Sequence, residues 1–245
     1  SYWCLAVWLT WGCMLAAATA QAGDVLKYSS SAQVMAATGS EIHRAFTKDT
    51  GVAIDLFVGS SSVAVHRMMN GLADVAGSVE RLAPGHKDSG YSEIGFARAP
   101  IVVITNVSTQ VRDLASSQLR AIFSGAITNW REVGGPDKEI VVVVPERNTG
   151  AFKNFSLLAL KRFDVRYDFM ASRSTDVVEL VRRVPWSISF ITQGDHTVHE
   201  ALKTLRIDGR APEDSEYPFH QDFSFVLNGE PRGISKKLID FYFSE

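Results

Sequence analysis

Cysteine is nearly absent from this 245-residue chain: there are two, Cys4 and Cys13, and both fall within the first 22 residues. Removal of that stretch leaves no thiol, which excludes a disulfide framework, a zinc–thiolate centre and a cysteine nucleophile. A basic run is missing as well. Lys and Arg number 25 against 27 Asp and Glu, for a formal net charge of −2, so the charge pattern does not advertise a nucleic-acid partner. There is no dinucleotide fingerprint, no phosphate-binding Gly-x4-Gly-Lys-Ser/Thr loop and no Gly-x-Ser-x-Gly elbow, so neither a nucleotide cofactor nor a serine hydrolase is expected. The six His are scattered except for His196 and His199, which are followed by Glu200. Such a pair can share a metal on a helix, but this polar stretch has no third spaced ligand and reads as a solvated loop. The expectation is no metal, no cofactor and no catalysis.

Long apolar runs are also scarce. The one long uncharged segment is Trp3 to Ala20, and it closes on Ala20-Gln21-Ala22 ahead of Gly23-Asp24. That small-x-small pattern predicts a secretory signal peptide over residues 1–22, and so a periplasmic or secreted product. The rival reading is a membrane anchor, for which the run is marginal because a span wants ~20 residues. No basic residues precede the run and the chain starts at Ser1, so a truncated start is expected. Cys13 follows Thr10-Trp11-Gly12, where Trp11 occupies a place that a lipobox gives to a small residue. Lipidation is therefore the lesser alternative.

What is present is ordinary globular composition, 46% hydrophobic and 21% charged, in an alternation of strand and helix. Val25 to Tyr28 reads as a strand, Ser29-Ser30-Ser31 leads into a helix running to about Thr50, and Gly51 ends it. Val52, Ile54, Leu56 and Val58 alternate as a second strand. Gly59 to Ser62 opens a second helix, and Ala73 to Gly77 is a third strand. This βαβαβ pattern implies a parallel sheet. A second set follows: Ile101 to Thr105, a helix over Ser116 to Phe123 with Ser116 as N-cap, and Ile140 to Val144. Helices over Thr149–Phe163 and Thr175–Val184, a strand over Ile188–Ile191, a late strand over Phe223–Leu227 and a last helix over Pro231–Phe243 complete it. The fold class is α/β, with two lobes and extended crossings near Ala97–Val102 and Ile191–Gly194.

Three junctions place small hydroxyl or Gly residues between a strand and a helix: Ser29 to Gln33, Gly59 to Ser62, and Arg147 to Ala151. A helix N-terminus carries unsatisfied N–H groups and a partial positive charge of ~0.5 e. Three of them converging would hold a tetrahedral oxyanion without any positive net charge. Each Ser or Thr, taken singly, is an ordinary N-cap. Arg147 offers a planar fork of donors, against the plain alternative of a surface ion pair with Glu146 or Asp137.

The most distinctive string is Ile122-Phe-Ser-Gly-Ala-Ile-Thr-Asn-Trp130-Arg-Glu-Val-Gly-Gly135. Locally it is a helix end, a loop around a buried-type Trp, and a Gly turn. As a string it resembles the signature of periplasmic phosphate-binding proteins, the solute receptors of ABC importers with the type II periplasmic-binding fold. The resemblance implies two lobes (23–98 and 99–194) with residues 195–245 returning to the first. It implies hinge closure around one small anion, delivery to an ABC permease, and a monomer that binds no nucleic acid. Carried over by position, it nominates Ala32, Gln33, Ser60, Ser61, Arg147, Thr149, Gly150 and Ala151 as ligand-binding. The backbone N–H groups of Gln33, Gly150 and Ala151 would serve as donors. Two departures stand out. Val79 occupies the place where the phosphate receptors keep an Asp that accepts the proton of the anion, with Glu80 the nearest substitute. Arg147 also sits closer to the Thr-Gly pair than the family pattern has it. Phosphate leads, with sulfate, molybdate or an organic anion as alternatives, and a signalling or sensor protein of the same fold as the second function class.

Overall fold

Three parallel strands open the chain: β1 (Val25–Ser31), β2 (Ala53–Gly59) and β3 (Val75–Ser78), side by side in the order β2-β1-β3. The computed structural model describes residues 24–161, 164–193 and 201–244. The leader over 1–22 with Cys4 and Cys13, and the His196, His199 and Glu200 cluster, lie outside the described residues. Two short helices, α1 (Ala32–Thr38) and α2 (Glu41–Thr50), join β1 to β2. The single helix expected up to Thr50 is broken at Gly39, whose φ of 69° lies in the left-handed region that only Gly adopts freely. α3 (Ser61–Met69) then crosses from β2 to β3. β2 is the sheet edge. Its Leu56 and Val58 are 39% and 46% exposed, because the sheet covers the strand on one side only.

After the small helix α4 (Pro84–Asp88) comes β4 (Tyr91–Asn106), the longest strand. Ile101 to Thr105 reads as a buried run, but the nine residues before Pro100 mix polar and apolar side chains without a strand pattern. β4 serves two sets of partners. Residues Tyr91 to Pro100 pair antiparallel with the late strand, while Ile101 to Asn106 pair with strands of the second group. The expected boundary at 98/99 falls inside this strand.

The second group comprises β5 (Asp113–Leu114), α5 (Ser116–Ser124), β6 (Val141–Pro145), α6 (Gly150–Leu158), β7 (Phe169–Ala171), α7 (Ser174–Arg183), β8 (Ser187–Thr192), β9 (Leu202–Thr204) and β10 (Arg206–Ile207). β11 (His220–Asn228) and α8 (Gly233–Ser244) close the chain. The full order is β2-β1-β3-β11-β4-β8-β6-β7, with β9 on β4 and β10 on β5. The stretch from Leu202 to Ile207 thus packs with the second group, and it is β11 that threads between β3 and β4. At α5 the N-cap is Ala115 rather than Ser116. The Ser116 hydroxyl is drawn instead to Asp208, and Gln118 Oε1 accepts the Ala115 N–H at 2.9 Å.

Helices cover both faces of each sheet half. Phe46, Leu238 and Ile239 from α2 and α8 pack on Leu26, Tyr28 and Phe225, while Ala64 and Met68 of α3 cover Ala76 and Val226 on the opposite face. In the second half, α5 and α6 bury Phe123, Phe155 and Trp130 against Phe190, with the Phe155 and Phe190 rings stacked at 3.8 Å. Val177 and Val181 of α7 cover the other side. Trp130 is fully buried, and its Nε1 donates to the Trp186 carbonyl at 2.7 Å. Gly135 lets the chain pass: a β-carbon there would come within 2.9 Å of Trp130 Cβ. Among the described residues, no helix is long and apolar enough to cross a membrane.

Candidate functional site

In parallel sheets the crevice beyond the carboxyl ends of the strands is where ligands bind, because helix N-termini point there. Here β1, β2 and β6 each deliver a hydroxyl residue to such a place. Ser31 caps α1, its Oγ accepting the Val34 N–H at 3.1 Å. Ser60 caps α3 through the Val63 N–H at 3.3 Å. Thr149 caps α6 through the Phe152 N–H at 3.2 Å and donates its own proton to the Glu146 carbonyl at 2.7 Å. All three cap residues are extended, with ψ between 147° and 162°, as an N-cap requires. The side chains thereby satisfy the third N–H of each helix and leave the first two without an intrahelical acceptor.

The three termini meet at one cavity of about 240 Å³. Ala32, Gln33, Ser60, Ser61, Thr149 and Gly150 all line it. Ala151 is buried just behind, at 2% exposure, and is not a lining residue. Arg147 is exposed and outside the lining; its guanidinium lies 5.8 Å from the ring centroids of Phe152 and Tyr167. Neither of its anticipated ion-pair partners takes it. Asp137 pairs with Arg131 at 3.3 Å, and Glu146 Oε1 accepts the Ser172 hydroxyl at 2.6 Å.

Glu146, Asn148 and Ser172 also line the cavity, and none of them is among the residues nominated as ligand-binding from the sequence. Ser172 lies between β7 and α7, a fourth strand–helix junction of the kind already noted, so its signal was there to be found. Glu146 had none, because only the turn that bonds Thr149 N to Glu146 O at 3.0 Å aims it inward. Among the described residues no Lys or Arg lines the cavity. What it offers an anion is helix ends and N–H groups, beside the carboxylate of Glu146.

Val79 and Glu80 resolve differently from an acid-for-acid exchange. Val79 is 2% exposed and packs with Val34 and Phe223, its N–H donating to Ser61 Oγ at 3.1 Å. A β-carbon on Gly150 would collide with Val79 Cγ2 and Gln33 Oε1, so α6 approaches the first lobe as closely as a Gly allows. Glu80 turns to Lys153, with Nζ–Oε1 at 2.8 Å, and Lys153 also donates to Ser62 Oγ at 3.0 Å. Asn154 Nδ2 donates to the Val79 carbonyl at 2.7 Å and to Gln221 Oε1 at 3.0 Å. Four bonds from one turn of α6 thus reach residues of the first sheet half.

Comparison with known proteins agrees with this architecture. A family model described as a PBP superfamily domain (PBP_like_2) matches residues 16–245. Among relatives, the phosphate-binding protein PstS of Bacillus subtilis (strain 168) is 27% identical over 163 residues, 64% of this chain and 52% of that protein. PstS of Borreliella burgdorferi is 24% identical over 198 residues, 74% of this chain and 71% of that protein. The match therefore spans about half the length of the Bacillus relative. Both relatives are named as binding proteins rather than enzymes. Among solved structures, a putative phosphate ABC transporter substrate-binding protein with bound phosphate from Clostridium perfringens superposes with a TM-score of 0.77. It is 25% identical and covers 91% of this chain and 94% of its own. An ABC-type phosphate transport receptor from Vibrio cholerae gives 0.79 at 22% identity, over 90% and 94% of the two chains. Strand order, the shared strand β4 and the family match lead to one conclusion: the chain belongs to the PBP superfamily and has the type II periplasmic-binding-protein fold.

Proposed function

We propose that this chain is an extracytoplasmic solute-binding protein for a small tetrahedral oxyanion, phosphate first. It would work as a monomer that closes its lobes on the anion and delivers it to an ABC permease, without catalysis. The observation that carries the reading is the meeting of three capped helix N-termini at one 240 Å³ cavity. The relatives named for phosphate support the choice of anion.

The energetics are sufficient. Micromolar affinity requires about 8 kcal/mol, and a hydrogen bond to a charged group contributes about 1.5–3 kcal/mol. The first two N–H groups of α1, α3 and α6, which have no intrahelical acceptor, together with the Ser60 and Ser61 hydroxyls, supply enough donors to reach that sum. Arg147 enters as a mobile charge at the rim, swinging from its place over Phe152 and Tyr167 onto the bound anion. Glu146 Oε1 is the oxygen that accepts the Ser172 hydroxyl, and Oε2 takes the role of proton acceptor that Val79 has no atom to fill. That acceptor favours hydrogen phosphate, which has a proton to donate to it, over fully ionised sulfate, which has none and leaves the carboxylate facing an anionic oxygen unbridged.

Calorimetric titration with phosphate, sulfate and molybdate tests the reading. Phosphate is expected to bind more tightly than sulfate, and Glu146→Gln to narrow the gap; absence of phosphate binding at millimolar concentration overturns the reading. Arg147→Ala is expected to cost more affinity than Ser61→Ala, since a charge-assisted fork is about twice as strong as a neutral bond. Equal losses would take Arg147 out of the site.

A further inference from the structure

The anion cavity has two unlike walls. Ser31, Ser60 and Ser61 line it from the first lobe, at the starts of α1 and α3. Glu146, Thr149 and Ser172 line it from the second. Strand register fixes the place of the acid. β6 and β7 run parallel with Pro145 opposite Ala171, so Glu146 and Ser172 step off the carboxyl ends of the two strands side by side. The Glu146 N–H donates to the Ala171 carbonyl at 3.0 Å, and the Ser172 hydroxyl donates to Glu146 Oε1 at 2.6 Å. These bonds hold the carboxylate on the β7 side of the cavity, and β7 is the opposite edge of the sheet from β2. The charge is not matched by a cation of the lining, since among the described residues no Lys or Arg lines the cavity. The neighbouring guanidinium, that of Arg147, lies over the Phe152 and Tyr167 rings. The nearest Lys of α6, Lys153, is held by Glu80 at 2.8 Å.

Helix N-termini favour an anion, whereas a half-buried carboxylate gains from a cation that brings hydrogen-bond donors. The cavity therefore offers donors where the three helix starts meet and a negative charge beside β7. A ligand that is negative throughout matches only the first of these. We propose that the cleft takes a small zwitterion: a tetrahedral phosphorus oxyanion on the helix starts, joined by a short carbon chain to a primary ammonium that lies on Glu146. This rests on the oxyanion reading of the cavity and extends it from a bare ion to a ligand class. The ammonium cancels one charge of the head and places an N–H donor on the carboxylate, where inorganic hydrogen phosphate places its single proton. Ser172 fixes Oε1 in both cases, so the same carboxylate oxygen serves either ligand.

Calorimetry with isosteric pairs tests it, with inorganic phosphate as the reference. 2-Aminoethylphosphonate is compared with propylphosphonate, and phosphoethanolamine with propyl phosphate; within each pair an ammonium replaces a methyl group. At least one amine is expected to bind about tenfold or more tightly than its methyl counterpart, and the pair that does so tells a phosphonate from a phosphate ester. Glu146→Gln, which keeps the shape and removes the charge, is expected to erase that gap. If inorganic phosphate binds and neither amine gains over its counterpart, Glu146 is not an ammonium subsite and the oxyanion reading stands alone. If the gain survives Glu146→Gln, the ammonium lies elsewhere and the proposal falls. If none of these anions binds, the oxyanion reading and this extension fall together.

Discussion

At Gly150 the missing side chain is a matter of clearance across the cleft rather than of backbone freedom. Its φ is not positive, and a β-carbon would meet Val79 Cγ2 and Gln33 Oε1. Gly150→Ala is therefore expected to keep α6 away from β3 and to weaken phosphate binding tenfold or more, about 1.4 kcal/mol, measured by titration. Unchanged affinity would mean that the bound state leaves this contact open. His43 makes a second prediction at this scale. It is buried, edge-on to the Tyr28 ring at 5.3 Å, with Nε2 2.9 Å from the Tyr242 hydroxyl. Burial holds its pKa below the ordinary 6.5. The unfolded chain thus takes up the proton first, so the stability is whole above about pH 6.5 and is lost as pH falls toward the folded-state value. The thermal midpoint should drop between pH 7 and 5, and drop less in His43→Gln, which keeps a polar group beside Tyr242. Identical pH profiles would show that other groups govern acid unfolding.

Among the elements, the stretch from α5 to Gly135 and the first turns of α6 divide their work. The first is frame. Trp130 joins α5, β6 and β8 through a fully buried ring and one bond to Trp186 O. Trp130→Ala is expected to cost about 3–5 kcal/mol, as truncation of large buried side chains does, read by urea unfolding. The anion affinity of the molecules that remain folded should be untouched, because no atom of Trp130 lines the cavity. A selective loss of affinity at constant stability would contradict that division. α6 is a working element, since its N-terminus faces the cavity and its next residues, Lys153 and Asn154, hold the other lobe.

For the molecule as a whole, closure of the cleft belongs to the proposed function, and those bonds are the contacts across it that would set how open it stands without ligand. β4 runs through both halves of the sheet, and the register shift between Phe223 and Ser224 on β11 lies beside its middle, where a bend is least costly. Lys153→Met removes the ion pair with Glu80 and the bond to Ser62 while keeping the aliphatic stem. Half-exposed pairs of this kind contribute on the order of 1 kcal/mol or less, enough to shift a balanced opening equilibrium severalfold. Small-angle scattering is expected to show a larger radius of gyration for ligand-free Lys153→Met than for the parent. Saturating phosphate should bring the two to the same value. Equal ligand-free radii would remove the ion pair from the account of closure.

The same molecule shows where local sequence is informative and where it stops. The alternation of strands and helices, the breaks at Gly51 and Gly125, and the candidate caps at Ser31, Ser60 and Thr149 were legible because each depends on a few neighbouring residues. The family string around Trp130 was legible for the same reason. Two local readings missed: Gly39 splits what reads as one helix, and Ala115 caps where Ser116 was expected, because Asp208, 92 residues on, takes the Ser116 hydroxyl. The long strand β4 was half hidden, since its first nine residues are held by β11 from the far end of the chain. At the site, the sequence by itself determined which residue types stand at the helix starts. Tertiary structure alone decided that Glu146 and Ser172 turn into the cavity, that Arg147 turns out, and that Val79 closes on Gly150 rather than facing a ligand. Those are contacts between segments tens of residues apart, and side-chain direction there is set by what the other segment leaves room for.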